Sequence, residues 1–276
     1  MSIVPGEAYL QRKAVFDRNL TVYGRNPVLE ALQAPGVVCE RLHLARSNKP
    51  APVIEQIEKL ARQQRAEVLL HGRAELARIS RNAREDQGVA ADLRWPGYRQ
   101  LADILPLSAL AGRALLAVDG ITNPQNLGML IRSAAAGACE GILLPRHGGC
   151  DIGPLVIKAS AGALFRATLL RCERLSAALG QLRDCGWKIC VLDGAAPHSL
   201  FGELDDAARV YVLGSESAGV SSAVQALADE RLAIPMSNGV ESLNVAVSAA
   251  LVVFRAQLRG QSSPSGSGKP LRPRDP

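Results

Sequence analysis

Two rhythms of apolar and polar residues divide the chain. Through roughly its first third, alternating runs are interleaved with amphipathic ones. Gly24 to Leu32 (GRNPVLEAL) predicts a short helix with Pro27 in its first turn, where a missing N–H costs nothing. Residues 40–45 (ERLHLA) alternate as a half-buried strand does, and Ala51 to Arg65 puts Val53, Ile54, Ile57, Leu60 and Ala61 on one helical face. Glu67 to Leu70 and Gly88 to Leu93 read as strands around a short helix at Ala74 to Ser80. Together these predict a small α/β unit over residues 21–95.

From Ala114 the rhythm becomes strand, helix, strand. Strands are predicted at Leu115–Asp119, Gly141–Leu144, Ala167–Leu170, Ile189–Leu192, Val210–Leu213 and Leu232–Ile234. Helices fall near 127–137, 154–163, 174–185, 220–229 and 242–258, with Ser242 read as the N-cap of the last. Such alternation predicts an α/β domain over 113–260, a mostly parallel sheet covered by helices. Three segments stand outside both rhythms. Residues 1–20 read as an extension, and Trp95-Pro96-Gly97 opens a linker to 112 with one short helix at Leu101–Leu105. Residues 261–276, rich in Ser, Pro and Gly and carrying basic residues, are predicted to be disordered.

Composition narrows the partners. No apolar run reaches the ~18–20 residues of a membrane helix, and the N-terminus lacks the apolar core of a secretory signal, so a cytoplasmic, membrane-free protein is expected. Six cysteines without a C-x-x-C pair predict reduced, mostly buried thiols, and the four histidines fit no metal-ligand spacing. The net charge of +6 is uneven: the excess lies in the first third and the tail, and the body is neutral. A basic appendage on a neutral body suits a polyanion. Arg62, Arg65, Arg73, Arg78, Arg81 and Arg84 form a candidate basic face, with a merely solvated helix surface as the other reading.

The usual nucleotide signatures are missing. No G-x-G-x-x-G follows the first strand of the second rhythm, Val220 stands where a P-loop needs lysine, and there is no G-x-S-x-G elbow. What stands out is three polar stretches at the C-terminal ends of predicted strands, where open α/β sheets hold ligands. They are Asp119 to Arg132 (DGITNPQNLGMLIR), Gly214 to Gly219 (GSESAG), and Ile234 to Val247 (IPMSNGVESLNVAV).

In order and spacing these three resemble the motifs of the SpoU (TrmH) family of SPOUT RNA methyltransferases. Asn126, Gly128 and Arg132 match the first; Gly214, Glu216 and Gly219 the second; Ile234, Pro235, Met236, Ser242, Leu243, Asn244 and Val245 the third. The N-terminal unit looks, more loosely, like the L30e-like substrate-binding domain of many members. The closest architecture is that of the bacterial enzymes that methylate a guanosine 2′-OH of 23S rRNA. The resemblance implies a trefoil-knotted domain, S-adenosylmethionine as cofactor, rRNA or tRNA as substrate, and a homodimer sharing its active sites. It implies cofactor contacts from Leu213, Gly214, Ile234, Met236 and Leu243. Arg132 would act on the ribose hydroxyl, with Asn126, Glu216, Ser242 and Asn244 as the polar shell and Glu216 fixing Arg132 by a hydrogen bond. A guanidinium is a poor base, so Arg132 is expected to orient the hydroxyl and stabilise charge growing on oxygen. A knotted RNA-binding protein without catalysis is the alternative; loss of the arginine, the glutamate or the Ser-Leu-Asn set would mark it, and all are present. Base methylation is a third reading, disfavoured by the Asn-x-Gly and Ser-Leu-Asn pattern.

Overall fold

The computed structural model describes residues 19–104 and 112–262. Most of the expected extension, the last residue of the expected 101–105 helix and all but the start of the tail lie outside the described residues. The N-terminal domain is a four-stranded mixed sheet, β1 (Asn19–Tyr23), β2 (Val38–Ala45), β3 (Glu67–His71) and β4 (Val89–Arg94), in the order β1-β4-β2-β3. Only β2 and β3 run parallel. Helices α1 (Arg25–Gln33), α2 (Pro52–Gln63) and α3 (Arg73–Ser80) cover it. The α2 stripe behaves as its spacing demands, burying Ile54, Ile57 and Ala61. β1 starts just inside the expected extension: Asn19 and Leu20 pair with Arg94 and Leu93.

The second domain is an eight-stranded, all-parallel sheet. Its strands are β5 (Arg99–Gln100), β6 (Ala114–Asp119), β7 (Gly141–Pro145), β8 (Leu169–Cys172), β9 (Lys188–Leu192), β10 (His198–Ser199), β11 (Arg209–Gly214) and β12 (Glu230–Ala233). Their order is β10-β12-β9-β11-β6-β7-β8-β5. Between them run α4 (Pro124–Ala136), α5 (Pro154–Ala159), α6 (Leu175–Asp184), α7 (Ser222–Gln225) and α8 (Val245–Ser262). Both sheet faces are covered, as a parallel sheet requires. On β6, Leu116 and Val118 join the core beneath α4, α5 and α8, while Leu115 and Ala117 join the one beneath α6 and α7. Among the described residues no helix is long and apolar enough to cross a membrane.

The linker is built into the fold. Trp95 packs edge-on to Phe165 (centroids 6.5 Å) and to Tyr98 (5.5 Å), and β5 then extends the parallel sheet beside β8. The helix expected at Leu101 is a single 3₁₀ turn, Leu101–Asp103. Two ion pairs brace the domains, Glu85 to Lys158 (2.7 Å) and Glu30 to Arg166 (3.0 Å).

A charged network closes the sheet where β9, β11 and β12 begin. The buried Arg209 guanidinium is paired with Asp205 and with Glu230 (3.0 Å), and Lys188 joins both acids at 2.6 and 3.1 Å. Burial alone would raise Glu230, but hydrogen bonds from Arg209, Cys190 and Lys188 bring its carboxyl down to about 2.

Candidate functional site

The other end of the same sheet carries the polar stretches. Strands β12, β9, β11 and β6 are neighbours, so their C-terminal ends open side by side. The cleft there has a volume of about 220 Å³ and is lined by Leu213, Gly214, Glu216, Ile234, Met236, Ser242 and Leu243. Every residue expected to touch the cofactor is therefore in one place. The sequence reading missed Leu192, Asp193 and Gly194, which enter the cleft from β9, and Glu241. The signal was present: Asp193-Gly194 ends an apolar strand as Gly214 does.

The three motifs meet in one hydrogen-bonded triangle. Asn126 Nδ2 donates to Glu216 Oε1 at 2.8 Å. Asn244 Nδ2 donates to the same oxygen at 3.0 Å and lies 3.0 Å from Asn126 Oδ1. Asn126 is 8% exposed, so its amide is a buried polar group whose partners hold it in one orientation.

Local chemistry delivers each corner. Asn123 caps α4, its side chain accepting from the N–H of Gln125 (2.8 Å) and of Asn126 (3.3 Å), with Pro124 at the first helical position. The helix thus begins at Pro124, before the 127–137 span expected from sequence. Asn244 heads α8, with Oδ1 accepting from Ala246 N at 2.9 Å. This corrects the expectation for Ser242, which stands too early to cap and lines the cleft instead. Asp119, given no role by the sequence reading, accepts from Ser221 N at 2.7 Å and anchors the loop that carries Glu216.

Two motif glycines are there for packing. A Cβ on Gly128 would lie 2.5 Å from Ala159 Cβ and 2.6 Å from Val156 O, so this glycine lets α5 lie against α4. A Cβ on Gly214 would lie 2.1 Å from the Gly219 carbonyl carbon, where Ser215 and Gly219 bond to each other and close the loop.

Arg132 stands apart. At about 100° per residue, six residues carry it about 240° around α4 from Asn126 and roughly 9 Å along the axis. It is exposed, and no acidic partner faces it among the described residues, so the expected bond to Glu216 does not form within one chain. The cysteines, expected to be mostly buried, divide differently: Cys39 and Cys190 are buried, Cys185 is exposed and the rest are half-buried. Burial pushes the Cys39 thiol up to about 12 and those of Cys139 and Cys172 up to about 11, so these three are not poised as nucleophiles.

A parallel sheet with ligand-binding loops at its C-terminal edge, joined to a small mixed-sheet domain, is the SpoU methyltransferase fold. The model of the SpoU rRNA methylase family matches residues 113–254, and that of the RNA 2′-O ribose methyltransferase substrate-binding domain matches 21–98. The chain belongs to the SpoU family and is an RNA 2′-O-ribose methyltransferase. An uncharacterised tRNA/rRNA methyltransferase of Mycobacterium avium is 34% identical over 235 residues, 84% of this chain and 75% of that one. The SpoU methyltransferase AviRb from Streptomyces viridochromogenes, solved with AdoMet, superposes with a TM-score of 0.75 over 94% of this chain and 95% of its own, at 22% identity. An RNA 2′-O ribose methyltransferase structure gives a TM-score of 0.69 at 26% identity, over 91% of this chain and 92% of its own.

Proposed function

We propose that the cleft binds S-adenosylmethionine and that the protein, as a homodimer, methylates a ribose 2′-OH of structured rRNA in the cytoplasm. tRNA is the second substrate class, because the curated relatives carry the joint tRNA/rRNA name. The observation that carries the reading is the Asn126–Glu216–Asn244 triangle, which joins three motifs at the wall of one cleft. The cleft suits the cofactor chemically. Leu213, Ile234 and Leu243 offer apolar contact, Gly214 lets backbone approach, and Asp193, Glu216 and Glu241 supply acceptors for hydroxyls and carboxylates for a cation. When bound, the cofactor supplies an electrophilic methyl on a sulfonium whose departing thioether is neutral.

The protein then has one difficulty to solve, the weak hydroxyl nucleophile. Asn126, Glu216 and Asn244 hold the loops that align it, with Ser242 at the cleft wall. Arg132 stabilises negative charge as it develops on the oxygen, the proton passing to water or phosphate. Its outward position supports action on a partner's cleft. Met129 is exposed on α4 beside it. On α8, Val247, Leu251, Phe254 and Leu258 recur at intervals of four, three and four residues; all but the partly buried Leu251 are exposed, Leu258 by 66%. Such an apolar seam next to a site is what an isologous dimer covers. In this reading the second domain carries the trefoil knot. The N-terminal unit is the L30e-like RNA reader, its six candidate arginines all exposed.

The test is transfer of labelled methyl to total RNA from a strain lacking the gene, followed by mapping of the modified nucleotide. A 2′-O-methylribose is expected; label on a base, or none, would sink the reading. Arg132→Ala should lower transfer about 100-fold or more at unchanged cofactor affinity. Mixing it with a cleft variant such as Gly214→Val should restore partial activity through heterodimers.

A further inference from the structure

A second pocket opens at the same edge of the sheet, beyond β7 and β8. It has a volume of about 340 Å³ and is lined by Gln100, Arg146, Arg171, Glu173, Arg174 and Gln181, among others. Arg171 is the unusual member. Its side chain is nine-tenths buried, with the guanidinium 4.2 Å over the Tyr98 ring and Nη2 paired with Asp151. Its Nε and Nη1 are buried without a hydrogen-bond partner. Leaving two charged donors unmet in a buried position is costly, and an anion in the pocket would meet them.

The surroundings favour the same charge. Arg174 stands at the N-cap of α6, a ten-residue helix with no side-chain cap, so unbonded N–H groups open beside the pocket. Arg146 is held by Glu173 at 2.5 Å. Glu173 and Asp151, the two acids present, are 72% and 75% exposed, so water competes for both carboxylates and weakens their pairs with the arginines. Three guanidinium groups around a concave surface are the donor geometry a tetrahedral anion selects.

We propose that this pocket binds a phosphodiester group of the substrate RNA, near the methylated ribose but outside the cofactor cleft; this rests on the RNA reading above. β8 is three strand spacings from β11, roughly 14 Å, so the strand that enters the active site passes within reach. The contact recognises backbone and not sequence, and so fixes register.

The experiment uses the full chain and two variants, Arg174→Ala, exposed and safe for folding, and Arg171→Met, which keeps the buried stem. RNA affinity is measured against salt, with S-adenosylmethionine calorimetry as the control for an intact cleft. Each variant should bind RNA about tenfold more weakly and lose about 0.7 from the log–log salt slope, at unchanged cofactor affinity. Unchanged slopes in both variants overturn the proposal. In a second arm, inorganic phosphate is titrated and its ³¹P line width followed. Broadening that Arg171→Met abolishes, with RNA slopes unchanged, identifies a free-phosphate site and also overturns it. RNA binding with the expected slopes but no methyl transfer by the unmodified protein supports the pocket and refutes the catalytic reading instead. The two failures are distinguishable.

Discussion

The two ends of the parallel sheet solve opposite problems with similar residues. At its N-terminal end, Arg209, Lys188, Asp205 and Glu230 satisfy one another, and every charge has its counter-charge. At its C-terminal end, Glu216 is held by two neutral amides, and farther along α4 the exposed Arg132 has no acidic partner among the described residues. A closed network holds a structure, whereas an open one leaves charge for a ligand. The position of a charge in the sheet, more than its presence, separates scaffold from site.

The comparison can be broken at four points, in falling order of effect. Arg209→Met leaves the half-buried Glu230 with Lys188 as its only charged partner and should cost about 2–3 kcal/mol in denaturant unfolding. Methyl transfer per folded molecule should persist; its loss would mean that the two ends are not separable. Asn126→Ala should do the reverse. Transfer falls about 100-fold through misplacement of Glu216 and Asn244, while unfolding stability drops by only about 1 kcal/mol. Gly128→Ala tests the packing role of a motif residue, and a destabilisation of about 1–3 kcal/mol is expected with cofactor affinity unchanged. Acid unfolding is the mildest probe. The Glu230 carboxyl is held below its ordinary value of 4.5, at about 2, so its contribution is complete above pH 4.5 and fades as the pH falls towards 2. A variant with Glu230→Gln should lose that part of the acid transition; an identical pH profile would remove the network from the account.

The segments that meet at the cleft could be picked out in the sequence because polar residues at the ends of apolar strands are a one-dimensional signal. The β6, β11 and β12 ends were legible for that reason. The triangle was not, since it joins residues 90 and 118 positions apart and depends on how the strands are ordered. Strand order is set by packing of whole elements, which no local pattern records. The same blindness hid β5 and β10, each two residues long, too short to show a period. Ser242 misled because serine and asparagine are comparable caps, and only the backbone decides which one the helix starts from. Arg132 and Glu216 were paired by opposite charge; helix geometry separates them.

The aromatic clasp around Trp95 has a consequence for how a target nucleotide is chosen. The chain leaving the N-terminal domain is gripped by Phe165, Tyr98 and the β5 pairing, and two ion pairs brace the flank. The reader and the cleft are thereby set at a constant span. On the RNA reading proposed above, the protein would work as a ruler, a landmark held at one end determining which ribose lies at the other. Lengthening the ruler between Pro96 and Tyr98 would move the mark along the RNA before it altered the chemistry.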